Sequence, residues 1–263
     1  MNILTQSNER EIPKNLIREI FSDEMIRTLF YHCLRVDIPD NNDKAEMIKM
    51  LLDPNEFDEL GTGTNRIAFL HNGLVCKIAL DRRGMVDNLT EFKRSSELPM
   101  YLAKCYETNM VINLCEYVSV LDQSQFIVNE EAIKEILKDI SKSYLFDDVG
   151  YTLKNSYNWG FRESKEYPGE FELVILDYGY LYPLIGQNVK ELYRCPKCNA
   201  SLTWDINFTK FKCRGNGCNY QIDPTSIRQR MKLDFEDLEN SMISELNHVK
   251  MPNLKDIEKS IHN

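Results

Sequence analysis

The chain has 263 residues, 43% apolar and 28% charged, with a formal net charge of −9. That length can bury a sizeable core as one two-lobed domain or two modest ones, and the composition is that of an ordinary soluble globular protein. No run approaches the roughly 18 apolar residues of a membrane span, and the start MNILTQSNER has no basic-then-apolar character, so neither a membrane nor a signal peptide is expected and the reading is cytoplasmic.

In chain order, 13–36 is predicted helical, as one helix or two. Leu16, Ile17, Ile20 and Phe21 make one apolar stripe, and Ser22 is placed to cap a second helix carrying Met25, Ile26, Leu29, Phe30 and Cys33. Asp43 is a candidate cap for a third helix that must stop before Pro54. Residues 58–80 are predicted as two strands and a tight turn at Asn72-Gly73, since both central residues of such a turn need positive φ. A helix over Met85–Leu98 comes next, then strands over Leu102–Tyr106 and Met110–Val118, a loop over Ser119–Ser124, and a helix over Asn129–Tyr144 capped by Asn129. A loop from Phe146 to Asn158 leads to a buried strand, Phe171–Leu176, ending at Asp177.

Charge and cysteine mark off the C-terminal third. Residues 190–232 hold nine Lys/Arg against three Asp/Glu, so any nucleic-acid contact is expected there. Cys195, Cys198, Cys213 and Cys218 form the knuckles CPKC and CRGNGC, fourteen residues apart. Four thiolates so arranged make a closed tetrahedral zinc site, with ASLTWD and KFK suited to a short antiparallel ribbon. The zinc either holds together a segment too small for its own core, or it presents Lys197, Lys210, Lys212 and Arg214, with Trp204, Phe208 and Tyr220, to nucleic acid or transcription machinery. Cys33, Cys76, Cys105 and Cys115 sit in apolar context and are expected to be buried free thiols. After the ribbon, Asp223-Pro224 starts an apolar-faced helix that runs on past Met231 to Leu246, followed by a polar tail.

Several short motifs then line up. Gly61 and Gly63 supply the first two positions of G-x-G-x-x-G, with Arg66 where the third glycine would stand. A plain turn would look the same. Lys77 in LVCKIAL is a cation inside an apolar strand, which needs an anionic partner or a route to water. Glu91 lies fourteen residues on, with Glu97 as a fallback. FELVILDYGY ends a strand in Asp177-Tyr178-Gly179.

That order of elements with these residues resembles the protein-kinase fold, and over roughly 55–232 it is similar to small kinase-like proteins of tailed bacteriophages. The resemblance implies an α+β, two-lobed fold divided as a helical N-terminal extension (1–54), a small lobe (55–118), a large lobe (119–192), a zinc ribbon (193–222) and a C-terminal helix and tail (223–263). It implies that Lys77 holds the phosphates of ATP and pairs with Glu91, that Gly61 and Gly63 cover the phosphates, and that main-chain groups of Glu116 and Val118 meet the adenine with Cys115 at the pocket gate. Asp177 and Asn158 would hold Mg²⁺.

The family's catalytic Asp stands five residues before the metal-binding Asn; here that position is Leu153, and no acid lies between Asp148 and Asn158. Asp148 or Asp147 folding back into the cleft, a pseudokinase that only binds nucleotide, and AMP transfer of the selenoprotein-O type are the three readings. The partners expected are a nucleotide, a protein substrate or partner and, through 190–232, nucleic acid, in the host cytoplasm if phage-encoded.

Overall fold

The computed structural model describes residues 15–35, 37–147, 152–164, 167–205, 207 and 209–231. The chain is α+β. It opens with three helices, α1 (Leu16–Ile20), α2 (Asp23–Leu34) and α3 (Asn41–Leu51). Ser22 accepts from the N–H of Met25 at 3.1 Å, as a cap should. The third cap is Asp40, which accepts from Asn42 N at 2.8 Å; Asp43, the expected cap, lies inside the first turn.

A five-stranded antiparallel sheet follows, in the order β1-β2-β3-β5-β4: β1 (Asp58–Thr62), β2 (Arg66–His71), β3 (Leu74–Ala79), β4 (Cys105–Thr108) and β5 (Ile112–Glu116). Residues 58–80 therefore hold three strands where two were expected. Asp58–Thr62 is exposed along its whole length, so no apolar alternation announces it, and pairing with β2 alone makes it a strand. Asn72 (φ 49°) and Gly73 (φ 80°) make the tight turn between β2 and β3. Leu102 and Ala103, assigned to a strand by their apolar character, instead bond Ile175, and β4 begins at Cys105.

Alternation along β2, β3 and β5 divides the two sheet faces. Ile67, Phe69, Cys76, Ile78, Ile112 and Leu114 face one way and share a core with Ile17, Phe21, Leu29 and Ile48, so the N-terminal helices pack into the sheet. Arg66, Lys77, Asn113 and Cys115 stand on the other face, because Lys77 lies directly across from Ala68 and from Asn113. Helix α4 (Arg82–Glu97) connects β3 to β4 and is capped by Asp81, which accepts from Gly84 N at 2.8 Å.

Beyond β5 come β6 (Ser119–Val120), α5 (Gln123–Val128) and α6 (Glu130–Ile140). The stretch expected as a loop ends early because Asp122 and Gln125 form a reciprocal capping box, the D-x-x-Q signal of a helix start. Asn129 is the junction between the two helices and makes no side-chain cap. Tyr144, expected as the end of a helix, opens β7 (Tyr144–Phe146), which pairs with β10 (Leu181–Pro183). β8 (Trp159–Glu163) and β9 (Phe171–Ile175) form a hairpin beside β6. Their core joins Ile133, Leu137 and Ile140 of α6 to Trp159, Val174, Ile175 and Tyr178.

The cysteine-bearing segment is a three-stranded antiparallel sheet of β11 (Leu202–Trp204), β12 (Phe211–Cys213) and β13 (Gln221–Ile222). It shares a third core with Leu145 of β7, Tyr182 of β10 and Ile227 of the helix Pro224–Arg228. The expected continuation of that helix past Met231 lies outside the described residues. No helix among the described residues is long and apolar enough to cross a membrane.

Candidate functional site

The turn after β1 is held down on α4. Gly63 N donates to Arg66 O (2.8 Å), Leu80 N donates to Asn65 O (2.8 Å), and the Asn41 amide donates to Thr64 O (2.7 Å). A Cβ on Gly84 would come within 2.1 Å of Asn65 O, so only glycine lets the turn lie on the helix start. Gly61 has open space around it. Arg66 therefore enters β2 at a fixed height, on the same face as Lys77.

Four charged side chains meet there. Glu91, fully buried on α4, accepts from Lys77 Nζ at 2.8 and 3.0 Å and from Arg66 Nη2 at 2.9 Å. Lys77 Nζ also donates to the carbonyl of Leu176 at 2.7 Å. Arg66 Nη2 reaches Asp177 Oδ1 at 2.7 Å. Burial by itself would push the Glu91 carboxyl up; Arg66 first and Lys77 second overcome that and hold it at about 2. Burial likewise opposes charge on Lys77, and Glu91 more than restores it, so the amine stays protonated above its ordinary range. Glu97, the fallback partner, is engaged elsewhere, accepting from Tyr144 Oη at 2.7 Å and pairing with Arg94.

Asp177 is half-exposed, while the two residues after it are locked. Tyr178 N donates to Glu91 Oε1 (3.3 Å) and its ring lies under Lys77, 5.9 Å from Nζ. Gly179 backs onto Asp87, where an added Cβ would meet the Asp87 Cβ at 2.8 Å. Asp87 is itself buried beside Arg83 and Asn65, and burial raises its carboxyl. Asn158 is buried at the end of a short 3₁₀ turn, and its carbonyl accepts from Leu176 N at 2.8 Å, which sets it beside the segment carrying Asp177.

Glu116 N donates to Lys104 O within the sheet, and its carboxylate takes Lys104 N and Arg162. Val118 is buried against Gly160, whose Cβ would strike it at 2.6 Å. Asp148 lies outside the described residues. Asp147 follows β7 with its side chain 7% exposed and pairs through Oδ2 with Arg228 at 2.9 Å, while its Oδ1 has no hydrogen-bond partner; burial raises its carboxyl, with Arg228 opposing. Arg66 and Asn113 are the participants that sequence reasoning did not assign. A cation opening an apolar strand beside a lysine-bearing one was the signal for Arg66. Asn113 had none, because its place opposite Lys77 is a matter of strand register.

The four ribbon sulfurs all lie within 4.8 Å of one another, with Cys195–Cys218 at 3.8 Å and Cys198–Cys213 at 3.2 Å. Tetrahedral zinc with bonds of ~2.3 Å needs edges of about 3.8 Å, so the donor set fits the ion. A Cβ on Gly215 would come within 2.6 Å of Cys198 Sγ, so the second knuckle closes only around glycine. Burial opposes the Cys195 thiolate, but the N–H groups of Cys198 and Lys197 bring it down to about 7. Among the described ribbon aromatics, Trp204 packs on Phe211 (3.8 Å between ring centres) and Tyr220 Oη accepts from Arg230; Phe208 lies outside the described residues.

No family model matches the chain, and no curated protein matches it. Among solved structures, it is similar to the Rio2 kinase–ADP/Mg²⁺–phosphoaspartate complex from Chaetomium thermophilum, at 13% identity and a TM-score of 0.36. The match covers 57% of this chain, which spans 56% of that one. A likeness of that degree decides nothing about function, which must be argued from the chain's own residues.

Proposed function

We propose that the chain is a kinase-like protein that binds Mg-ATP between the five-stranded sheet and the β8–β9 hairpin, with transfer to a protein side chain secondary to binding. The observation that carries this reading is the convergence of Lys77, Glu91, Arg66 and Asp177, from β3, α4, β2 and the end of β9. Two cations held side by side by one buried carboxylate are a largely preorganised receptor for phosphate oxygens, since only the exposed Arg66–Asp177 contact must open to admit them. Lys77 would take the α/β-phosphates. Arg66 would release Asp177 and take phosphate in exchange, leaving Asp177, with Asn158, to hold magnesium. The ion would bridge and neutralise phosphate oxygens. Zinc on the four ribbon cysteines would be structural.

Binding is placed ahead of transfer because the position five residues before Asn158 is Leu153, and Asp147 pairs with Arg228 rather than with the Lys77–Glu91 cluster. Among the described residues, the packing of Trp204 on Phe211 and the bond from Arg230 to Tyr220 Oη favour a structural use of these two aromatics over nucleic-acid stacking.

The test is a thermal-shift titration with ATP and Mg²⁺ on wild type, Lys77→Ala and Asp177→Ala. Wild type is expected to shift upward, Lys77→Ala to lose the shift with or without metal, and Asp177→Ala to lose its magnesium-dependent part. A wild type indifferent to nucleotide but shifted by DNA or RNA in a salt-sensitive way would hand the function to the basic ribbon segment.

A further inference from the structure

Behind the ion-pair cluster, on the same sheet face, lie two cysteines. Cys105 of β4 and Cys115 of β5 are directly opposed, and their sulfurs are 3.1 Å apart. Glu116 N donates to Lys104 O beside them, so the two cysteines occupy a non-hydrogen-bonded position of the antiparallel pair. There Cα atoms sit about 4.5 Å apart, inside the range that a disulfide spans. Both residues are buried, at 6% and 4% exposure, so neither meets large reagents. The environment of the two sulfurs differs. Asn113 Nδ2 donates one hydrogen to Cys105 Sγ (3.3 Å) and the other to Glu91 Oε2 (3.3 Å), while Cys115 receives no such donor in the described contacts. One carboxylate oxygen of Glu91 lies within 4.8 Å of both sulfurs.

We propose that Cys105 and Cys115 are a redox pair, closed to a disulfide by hydrogen peroxide and reopened by thiols, with Cys105 the attacking sulfur and Cys115 the resolving one. The Cys105 thiolate, steadied by the Asn113 amide, attacks a peroxide oxygen; the O–O bond breaks, Cys105 becomes a sulfenic acid, and the hydroxide released takes up the proton Cys105 had given up. The Cys115 sulfur then attacks Cys105, the S–S bond forms, and the sulfenic oxygen leaves as water with the Cys115 proton. In sum two thiols lose two hydrogens and one peroxide becomes two waters. This follows from strand register and side-chain contact and holds whether or not the neighbouring cluster binds nucleotide.

The test uses the whole zinc-loaded chain and differential alkylation. Cys105 and Cys115 share one tryptic peptide, 105–134. Cys33 and Cys76, whose thiols burial pushes up to about 12, serve as internal controls. At a peroxide dose that leaves the controls fully labelled, peptide 105–134 is expected to lose both labels and regain both after dithiothreitol. Cleavage after Tyr106 or Leu114 should leave the halves joined until reduction. In Cys115→Ser, Cys105 is expected to accumulate as a dimedone-trapped sulfenic acid. If that variant fails to fold, the wild-type labelling stands as the test. Retention of both labels while the controls oxidise, sulfinic acid as the product, or a linkage to any other cysteine would overturn the pair; dimedone on Cys115 of Cys105→Ser alone would reverse the roles.

Discussion

At the scale of single residues, Glu91 is the pivot. It is the one fully buried acid among two cations, and its charge is worth keeping only while both stand beside it. Glu91→Gln keeps the shape but leaves Lys77 without a carboxylate and Arg66 with only Asp177; removing one partner of a buried pair typically costs about 3–5 kcal/mol. A lowered urea midpoint is the expected result. The pH dependence has a definite sign. The folded carboxyl sits at about 2, below its ordinary 4.5, so its contribution is complete above about pH 4.5 and is lost as pH falls toward 2. Urea midpoints measured between pH 5 and 2 should fall steeply for wild type and less steeply for Glu91→Gln. The lysine and its partner were legible in the sequence, because a cation in an apolar strand demands an anion. Arg66 looked like a defect in a glycine motif, and only the register of β2 against β3 turned it toward Glu91 and Asp177.

At the scale of elements, the site depends on how closely the 63–66 turn lies on α4. Gly84→Ala pushes a methyl into backbone at Asn65 and is expected to destabilise by about 1–3 kcal/mol, in the manner of overpacking. Amide hydrogen exchange should localise the loosening to the turn and the first turn of α4. Asp81→Ala removes the cap of the same helix and the acceptor of Asn41, which bonds it at 2.7 Å, for about 1–2 kcal/mol by thermal unfolding. Helix α2 was legible from its stripe and its Ser22 cap; α4 was legible as a helix, but its start at Arg82 behind the Asp81 cap was not. β1 was not, because an exposed polar strand carries no period; nor was α5, a helix of 6 residues with only Phe126 buried, too short to show a stripe.

At the scale of the whole molecule, three cores run into one another: β5 and α4 give residues to the first and second, and β7 and β10 give residues to the second and third. The ribbon shares its core with β7 and β10, so a metal held there would support more than the ribbon. Zinc is expected in molar equivalence with the chain by mass spectrometry of metals. Chelation, or Cys213→Ser, should lower the melting temperature of the whole chain and shift near-ultraviolet signals from Trp204 and Tyr182 together. A ribbon that melts alone, leaving the main transition unmoved, would show that the shared core carries little.

The sequence by itself determined the chemistry available: a lysine that needs an acid, an aspartate following a strand (half-buried, where full burial was expected), and four thiols at knuckle spacing. These are local demands, set by covalent spacing and by the cost of burying charge, and they can be read without coordinates. Only the tertiary structure decided which groups meet. Arg66 with Asp177, Asn113 with Glu91, Asp147 with Arg228 and Cys105 with Cys115 depend on strand register and helix packing. A shift of one residue in its strand would have turned Arg66, Asn113, Cys105 or Cys115 to the other face.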